Sequence, residues 1–388
     1  MKKLLTYISI LLFFSCNIEK WNLDDQSNKL IPNYSLTLEG LECIESFNTN
    51  IYALDKDNFV TAIEDQNNSI KIIKITQTLI GEKWKSNYQA VWNAAGTDLI
   101  GFDKTDEEYF ITFMSNGWPQ INKLDGNFNP ISSFNSFESF IDTSYNDINS
   151  ISFQKMIIDT SSGVYLIGQL SSFSKNYSCV LKMNTDLKPI YLKTYFENDT
   201  IQALHSLDND RFIVLNQQNT EMALILDNTD GKLYQKYDLS FDEVFSSANL
   251  TQINGRLYLT GTISSGIGKT IEITLENKNA FISDVENYAV IGLTSFKSSR
   301  NTLLLSGVTR KEISSNSFLA EYKDRNYLWC NEYQGFDFIR SLSLTEAPDV
   351  GLLYLYLVKK EDRFYLHVIR TDEEGATIDN PYDLNCIQ

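Results

Sequence analysis

The sequence predicts an all-β protein, a single β-propeller with seven four-stranded blades. Three observations predict it. A segment of about 46 residues recurs along the chain, each copy alternates short apolar strands with polar turns, and 23 Phe and 21 Tyr stand against only 6 Pro. Four-stranded repeats of roughly this length are typical of propeller blades stacked around an axis. Six or eight blades, or two β-domains divided near residues 127–150, are alternatives.

The repeat is clearest in three segments that begin at Val164, Arg256 and Thr302. Each has an apolar strand that contains a glycine, a polar loop, a second strand, a turn rich in Asn, Asp and Lys, and a third strand with an aromatic residue. A fourth strand precedes each copy, so each blade is predicted to have four strands. Glycines such as Gly168 are expected to allow close approach near the axis. Four weaker copies begin near residues 58, 98, 211 and 351.

The spacing of the copies is uneven in the first half of the chain. Aligning Ala62 with Gly101 gives 39 residues, and aligning Gly101 with Gly168 gives 67. The longer interval contains residues 127–150, which are rich in Ser, Asn and Phe, and we predict an inserted loop there. Spaced aromatic residues can equip such a loop for binding. The alternative is a strand or short helix that packs its Phe side chains on the blades.

Residues 34–40, YSLTLEG, form a strand-like segment that belongs to none of the predicted blades. The last blade is weak after Ile378 and needs an outer strand. We therefore predict that residues 34–40 supply this strand and close the ring, because an unclosed ring leaves sheet edges that invite aggregation. The propeller domain is predicted to span residues 34–388.

The N-terminal residues 1–15 are predicted to be a signal peptide, since two lysines precede about ten apolar residues. This apolar run is too short for a membrane-spanning helix, which needs about 20 residues. Its end, residues 13–16 (FFSC), resembles the lipobox of bacterial lipoproteins, with Phe13 and Phe14 departing from the usual residues. The resemblance implies that Cys16 is acylated and becomes the mature N-terminus. An ordinary cleaved signal with a chance cysteine is the alternative.

The residues after the lipobox predict how the protein is held. Residues 16–33 begin with the lipidated Cys16 and continue as a polar, flexible tether. Acyl chains on Cys16 would hold the protein on a membrane. By resemblance to bacterial lipoprotein sorting, Asn17 implies the outer membrane, on either its periplasmic face or the cell surface. Loose lipoboxes of this kind are familiar in lipoproteins of the Bacteroidetes group.

A second resemblance concerns the repeat itself. Residues 179–196, CVLKMNTDLKPIYLKTYF, are similar to a bacterial propeller repeat in which a Lys-apolar-Asp turn precedes an aromatic strand. Residues 123–126, Lys-Leu-Asp-Gly, are another good copy. The repeat is common in secreted and lipid-anchored Bacteroidetes proteins, and in degenerate form it covers most of residues 50–380. The resemblance implies a β-propeller and no single activity.

Charge and cysteine usage limit the partners. With 33 basic and 50 acidic residues the net charge is −17, so the surface repels phosphate backbones and we predict no nucleic-acid partner. Four cysteines besides Cys16 lack CxxC spacing, and with two histidines no zinc site is predicted. Because disulfides form outside the cytoplasm, a Cys43–Cys386 bridge that joins the two ends of the folded chain is one candidate, with free buried thiols as the alternative.

No catalytic motif is present: GxSxG, HExxH and the P-loop are all missing, so we predict no catalytic, cofactor or metal site. His205 and His367 lie in predicted strands and are expected to be structural. Trp118 follows Asn116-Gly117 in a predicted turn. Because an exposed Trp can stack on a sugar ring, Trp118 is our candidate ligand contact.

Three functions remain open. The leading hypothesis is a non-enzymatic cell-envelope lipoprotein whose propeller is a scaffold that binds a protein partner. The first alternative is a surface glycan-binding protein. The second is a propeller-type lyase or hydrolase, for which two histidines are a poor supply of acid–base groups. No cofactor is predicted in any of the three cases.

Overall fold

The computed structural model describes residues 34–375 apart from 46–47, 81–82, 136–147, 160–162, 217–221, 240–244, 277–278, 289, 311–314, 325, 335–336, 349–350 and 374. This part of the chain contains 28 β-strands and no helix. It therefore offers no helix that is long and apolar enough to cross a membrane. The predicted signal peptide, the tether with Cys16, and Cys386 lie outside the described residues.

The strands form seven antiparallel four-stranded sheets, which confirms the predicted seven-bladed propeller. Six blades use four consecutive strands: blade 1, β2 (Ile51–Ala53), β3 (Asn58–Glu64), β4 (Ser69–Ile80), β5 (Lys83–Ala95); blade 2, β6 (Thr97–Lys104), β7 (Tyr109–Ser115), β8 (Trp118–Leu124), β9 (Pro130–Phe134); blade 3, β10 (Ile148–Asp159), β11 (Gly163–Ser172), β12 (Asn176–Met183), β13 (Pro189–Glu197); blade 4, β14 (Ile201–Ser206), β15 (Arg211–Asn216), β16 (Met222–Asp227), β17 (Leu233–Asp238); blade 5, β18 (Phe245–Ile253), β19 (Arg256–Ile263), β20 (Gly268–Glu276), β21 (Asn279–Tyr288); blade 6, β22 (Val290–Lys297), β23 (Leu303–Arg310), β24 (Ser315–Lys323), β25 (Asn326–Tyr333). Blade 7 combines β26 (Asp337–Glu346), β27 (Leu352–Lys360) and β28 (Arg363–Thr371) with β1 (Tyr34–Cys43).

Blade 7 closes the ring as predicted from residues 34–40. Strand β1 pairs with β28 in antiparallel register, with Tyr34 opposite Arg370 and Thr37 opposite His367. The Thr37 hydroxyl and the His367 Nδ1 atom lie 2.9 Å apart, although the residues are 330 positions apart in sequence. The outer edge of the last blade is therefore covered by the beginning of the propeller domain.

In each blade the first strand lies next to the axis. Inner strands of neighbouring blades contact one another, for example β14 with β18 and β2 with β26. The two middle strands are almost fully buried, as the apolar runs of β15 and β27 require. Apolar layers fill the spaces between blades; one of them joins side chains of blades 1, 2 and 7. The fold is therefore held together by packing between adjacent sheets.

The predicted boundaries of blade 2 are shifted by one strand. Gly101 lies on the inner strand β6, whereas Gly168 lies on the second strand β11, so the two glycines are not equivalent. The strand that precedes the copy beginning near residue 98, and that was therefore expected to open blade 2, is the outer strand β5 of blade 1, which is 13 residues long. The second strands of blades 1 to 3 begin at residues 58, 109 and 163, which gives the regular intervals of 51 and 54 residues.

The predicted insert at residues 127–150 is only partly a loop. Strand β9 is the outer strand of blade 2, and β10 already begins at Ile148. Phe128 is buried, and its ring centroid lies 4.8 Å from that of Tyr109. Residues 136–147 fall outside the described part of the chain.

Candidate functional site

The inner strands of the seven blades enclose a central channel that holds a cavity of about 460 Å³. This is within the range of roughly 300–1,000 Å³ found for small-molecule sites. Asn48 and Gln154 line it and are exposed, so the channel is open to solvent. Each blade contributes to the lining: Asn50 just before β2, Phe102 on β6, Lys155 on β10, Gln202 on β14, Asn249 on β18, Thr294 on β22 and Arg340 on β26.

The channel differs in charge from the rest of the chain. Its charged lining residues are Lys155 and Arg340, and no Asp or Glu belongs to the part of the lining that the structure describes. The whole protein carries a net charge of −17. The channel therefore forms a local cationic region inside an acidic body, and such a region concentrates anions.

Lys155 reaches across the channel from blade 3 to blade 5. Its Nζ atom donates to the Oδ1 atom of Asn249 at 2.8 Å and to the carbonyl of Ala248 at 3.4 Å. Asn249 in turn donates to the Thr294 hydroxyl of blade 6 at 3.0 Å. Burial lowers the pKa of Lys155 to about 8, and the negative charge of Asp103 acts in the opposite direction.

Asp103 lies beside the channel but is engaged elsewhere. Its carboxylate accepts hydrogen bonds from the Tyr52 hydroxyl of blade 1, from its neighbour's N–H at Lys104, and from the Ile158 N–H of blade 3. Burial raises the pKa of Asp103, although these hydrogen bonds oppose the shift. Asp103 thus ties three blades together rather than lining the cavity.

Arg340 enters the channel from blade 7 and is half-buried. Burial lowers the pKa of its guanidinium, and the charge of Glu45 acts in the opposite direction. Near it, Asn50 donates to the carbonyl of Phe102 at 3.0 Å, and Asn48 donates to the carbonyl of Gln154 at 3.0 Å. Two cations and several amides thus make the channel suited to an anionic group, which they can hold by ion pairs and hydrogen bonds.

The candidate ligand contact Trp118 is not at the channel. It is the first residue of β8, directly after the hairpin turn Asn116-Gly117, whose φ angles of 52° and 79° are those of a tight turn. Its side chain is half-buried against the apolar layer between blades 2 and 3. At this position the Trp118 side chain packs between two blades, and part of it remains accessible to solvent.

The two histidines are held in strands of two blades. His367 is buried beside Thr37, and burial lowers its pKa to about 3. His205 is half-buried on β14, and burial lowers its pKa also. Among the described residues no group of three or more His, Cys, Asp or Glu is placed to hold a metal ion.

The predicted Cys43–Cys386 bridge is wrong, because Cys43 is a free thiol. Strand β1 ends at Cys43 in the interior, where the residue pairs with Phe364 and bridges to Asp65 of blade 1. Burial raises the pKa of the Cys43 thiol to about 12. Cys179 is also free and buried, whereas Cys330 is disulfide-bonded.

A second feature lies on the outer edge of the disc. Large apolar side chains, between 47% and 63% exposed, lie at the second position of the outer strands in blades 2, 3 and 4, and in blade 4 at the first position as well. Neighbouring contacts keep these strand ends together: Lys123 lies 3.8 Å from Asp186 between blades 2 and 3, and the Tyr195 hydroxyl donates to the Gly231 carbonyl at 3.1 Å between blades 3 and 4. We call this set the rim band: Ile131, Ile190, Leu233 and Tyr234.

No protein-family model and no curated protein matches the sequence. Among solved structures, the chain is similar to BBS1N in its complex with ARL6DN, with a TM-score of 0.47, 12% identity, and coverage of 87% of this chain and 97% of that one. For BamB from Moraxella catarrhalis the TM-score is 0.42 and the identity 10%, with coverage of 87% of this chain and 98% of that one. For a candidate 6-phosphogluconolactonase from Bacteroides uniformis the TM-score is 0.46 and the identity 10%, with coverage of 73% of this chain and 83% of that one. Identities and scores this low support no functional argument for the present chain.

Proposed function

We propose that this chain is a lipid-anchored, non-enzymatic propeller scaffold of the bacterial outer membrane that binds a protein partner. The rim band is the observation that carries the proposal. Three of its side chains, those of Ile131, Ile190 and Tyr234, occupy the equivalent second position of the outer strand in three consecutive blades, and Leu233 precedes Tyr234. Exposed apolar side chains that recur on the same edge of neighbouring blades support a protein interaction site there, because a partner that covers them removes apolar surface from water.

The rim band is also well ordered for binding. Each of its residues lies on a strand that is hydrogen-bonded to the rest of its blade. The Tyr234 ring stacks under the Arg211 guanidinium at 5.4 Å, and Asp208 holds Arg211 at 2.6 Å. A ring fixed before binding loses little conformational entropy on contact, which favours association. An apolar surface on a folded partner, with polar groups around it, fits this arrangement.

The anchor rests on the N-terminal sequence and on where the ring begins. The ring is closed by a strand that starts at Tyr34. Seventeen residues separate Cys16 from Tyr34. A flexible chain of this length spans roughly 20–25 Å on average, enough to hold the propeller clear of the lipid headgroups. Lipidation at Cys16 would thus leave the rim band free for a partner.

Cross-linking in native membranes tests the partner. The full-length wild type is expected to give one cross-linked heteromeric species, which mass spectrometry identifies and which is then reconstituted from purified proteins. In the double variant Leu233→Ser/Tyr234→Ser, affinity for the purified partner should fall at least tenfold. Phe173→Ser is the matched control, since Phe173 is 88% exposed at the β11–β12 turn, away from the rim band. Equal loss in both variants, or no loss in the double variant, contradicts the rim assignment.

Fractionation tests the anchor separately. Cys16→Ser should abolish incorporation of radiolabelled palmitate and release the protein from the outer-membrane fraction. Cys43→Ser is the control, because Cys43 is a buried free thiol inside the ring. A Cys16→Ser protein that stays labelled and membrane-bound would show that the leader is processed in another way.

A further inference from the structure

We propose that the central channel is a binding site for a small organic anion, whose charged group is recognised by Lys155 and Arg340. The inference is independent of the rim band and of any protein partner. It concerns the opposite side of each blade, the inner strands, and it assigns a ligand class to the cavity.

The first argument is the placement of charge. The chain has 50 acidic residues, yet the described lining of the channel holds two cations and no carboxylate. Withdrawing a cation from water is costly unless a negative group compensates. The fields of Asp103 and Glu45 reach Lys155 and Arg340 from outside the lining. The Asp103 carboxylate is already engaged by Tyr52 and two backbone N–H groups. An anion in the channel would give Lys155 a direct negative partner.

The second argument is the geometry of Lys155. Its ammonium makes one good hydrogen bond, to Asn249 at 2.8 Å, and one long one, to the Ala248 carbonyl at 3.4 Å. An ammonium group has three N–H donors. The remaining donor can be given to a ligand oxygen, while Asn249 and Thr294 keep the side chain extended across the channel.

The third argument is the character of the walls. Beside the cations and amides, the cavity is lined by apolar side chains that include Ile100, Phe102 and Leu293. A cavity of about 460 Å³ is far larger than an inorganic ion needs. Polar groups that fix a charge, combined with apolar walls, match a carboxylic acid with a hydrocarbon body better than free phosphate.

Calorimetry on the purified chain at pH 7 and low salt tests this assignment. The probes are benzoate, succinate and citrate, with neutral benzamide and inorganic phosphate for comparison. At least one organic anion should bind at a single site, at least tenfold more tightly than benzamide or phosphate. Lys155→Met and Arg340→Met should each weaken that binding tenfold or more. Lys323→Met, an equal charge change on the exposed end of β24, should leave affinity within twofold.

Three results would overturn the assignment: no binding of any organic anion to the wild type, binding of phosphate as tight as that of the best organic anion, or unchanged binding in both channel variants. Melting curves check that the variants fold. If Lys155→Met does not fold, Lys155→Arg and Arg340→Met decide the matter. The first keeps the charge and should stay within threefold of the wild type, and the second should still lose tenfold or more.

Discussion

The middle strands of the blades differ from the inner and outer strands in how completely their residues are buried. In β15 and β27, which are second strands, almost every residue is buried between neighbouring blades. In the inner strand β10 and the outer strand β13, buried and exposed residues are mixed. The middle strands therefore hold the ring together, whereas the inner and outer strands have positions left for other tasks. Both sites proposed above, the channel and the rim band, use those positions.

The largest effect on stability is expected from a large cavity in a middle strand. Phe212→Ala on β15 removes a fully buried ring that packs 5.4 Å from Tyr165, so it should lower the free energy of unfolding by about 3–5 kcal/mol. Urea unfolding measures it. Ile190→Ala on the outer strand β13 is the control and should cost about 0.5 kcal/mol or less, because Ile190 is largely exposed. Equal costs would mean that the outer strands also carry the packing.

A change of pH probes the inner strands with a smaller effect. Lys155 has a pKa of about 8, so its charge is mostly present at pH 7 and mostly lost at pH 9. Organic-anion affinity should therefore fall about tenfold over that interval, a change of about 1.4 kcal/mol. The other charged groups that act on the site are Asp103, Arg340 and Glu45. Lys155→Arg should flatten the profile; a flat profile in the wild type would remove Lys155 from the site.

Lys155 also contributes to the pH dependence of the free energy of unfolding. Burial lowers the pKa of Lys155 below the ordinary value of 10.5 that it regains in the unfolded chain. Between about pH 8 and 10.5 the unfolded state therefore binds more protons than the folded state. The contribution of Lys155 to stability thus rises with pH through that window.

The smallest effect is expected on the outer edge. Tyr234→Ser removes an exposed ring and its contact with Arg211, and should change the free energy of unfolding by about 0.5 kcal/mol or less. Thermal melting and circular dichroism check it. A markedly larger loss would show that Tyr234 supports the blade, and would weaken its place in the rim band.

The repeat made most of the fold predictable from the sequence. The apolar middle strands and the turn residues predicted seven blades. The unassigned strand at residues 34–40 predicted the closure by β1. These features can be recognised because each is local in the sequence. Gly168 bears out the expected close approach, since a Cβ atom there would lie 2.0 Å from the Ser152 carbonyl oxygen. The error in blade 2 arose because Gly101 and Gly168 look alike in sequence but lie on different strands.

The two candidate sites were harder to foresee. Lys155 and Arg340 are 185 positions apart, and only the ring brings them into one cavity. The sequence does contain a signal for them, because both residues lie in the strand that precedes a copy of the repeat. Comparing the charged residues of these seven strands would have identified both. Three of the four rim-band residues, Ile131, Ile190 and Tyr234, likewise repeat at the second position of the outer strand. Trp118 was predicted to be a ligand contact from its residue type and its place after the Asn116-Gly117 turn, and its packing between blades 2 and 3 is not visible in the sequence.

The pairing of β1 with β28 also sets the order in which the parts of the propeller can fold. A chain that leaves the ribosome or a translocation pore N-terminus first presents β1 at the start, while its partner strand emerges some 330 residues later. Until then β1 has open hydrogen-bonding groups, and the ring cannot close. Such long-range pairing slows folding and leaves an interval in which β1 can pair with the last blade of another copy instead. Completion of the disc is therefore the last event in its assembly, and the one most exposed to chaperones and to exchange between chains.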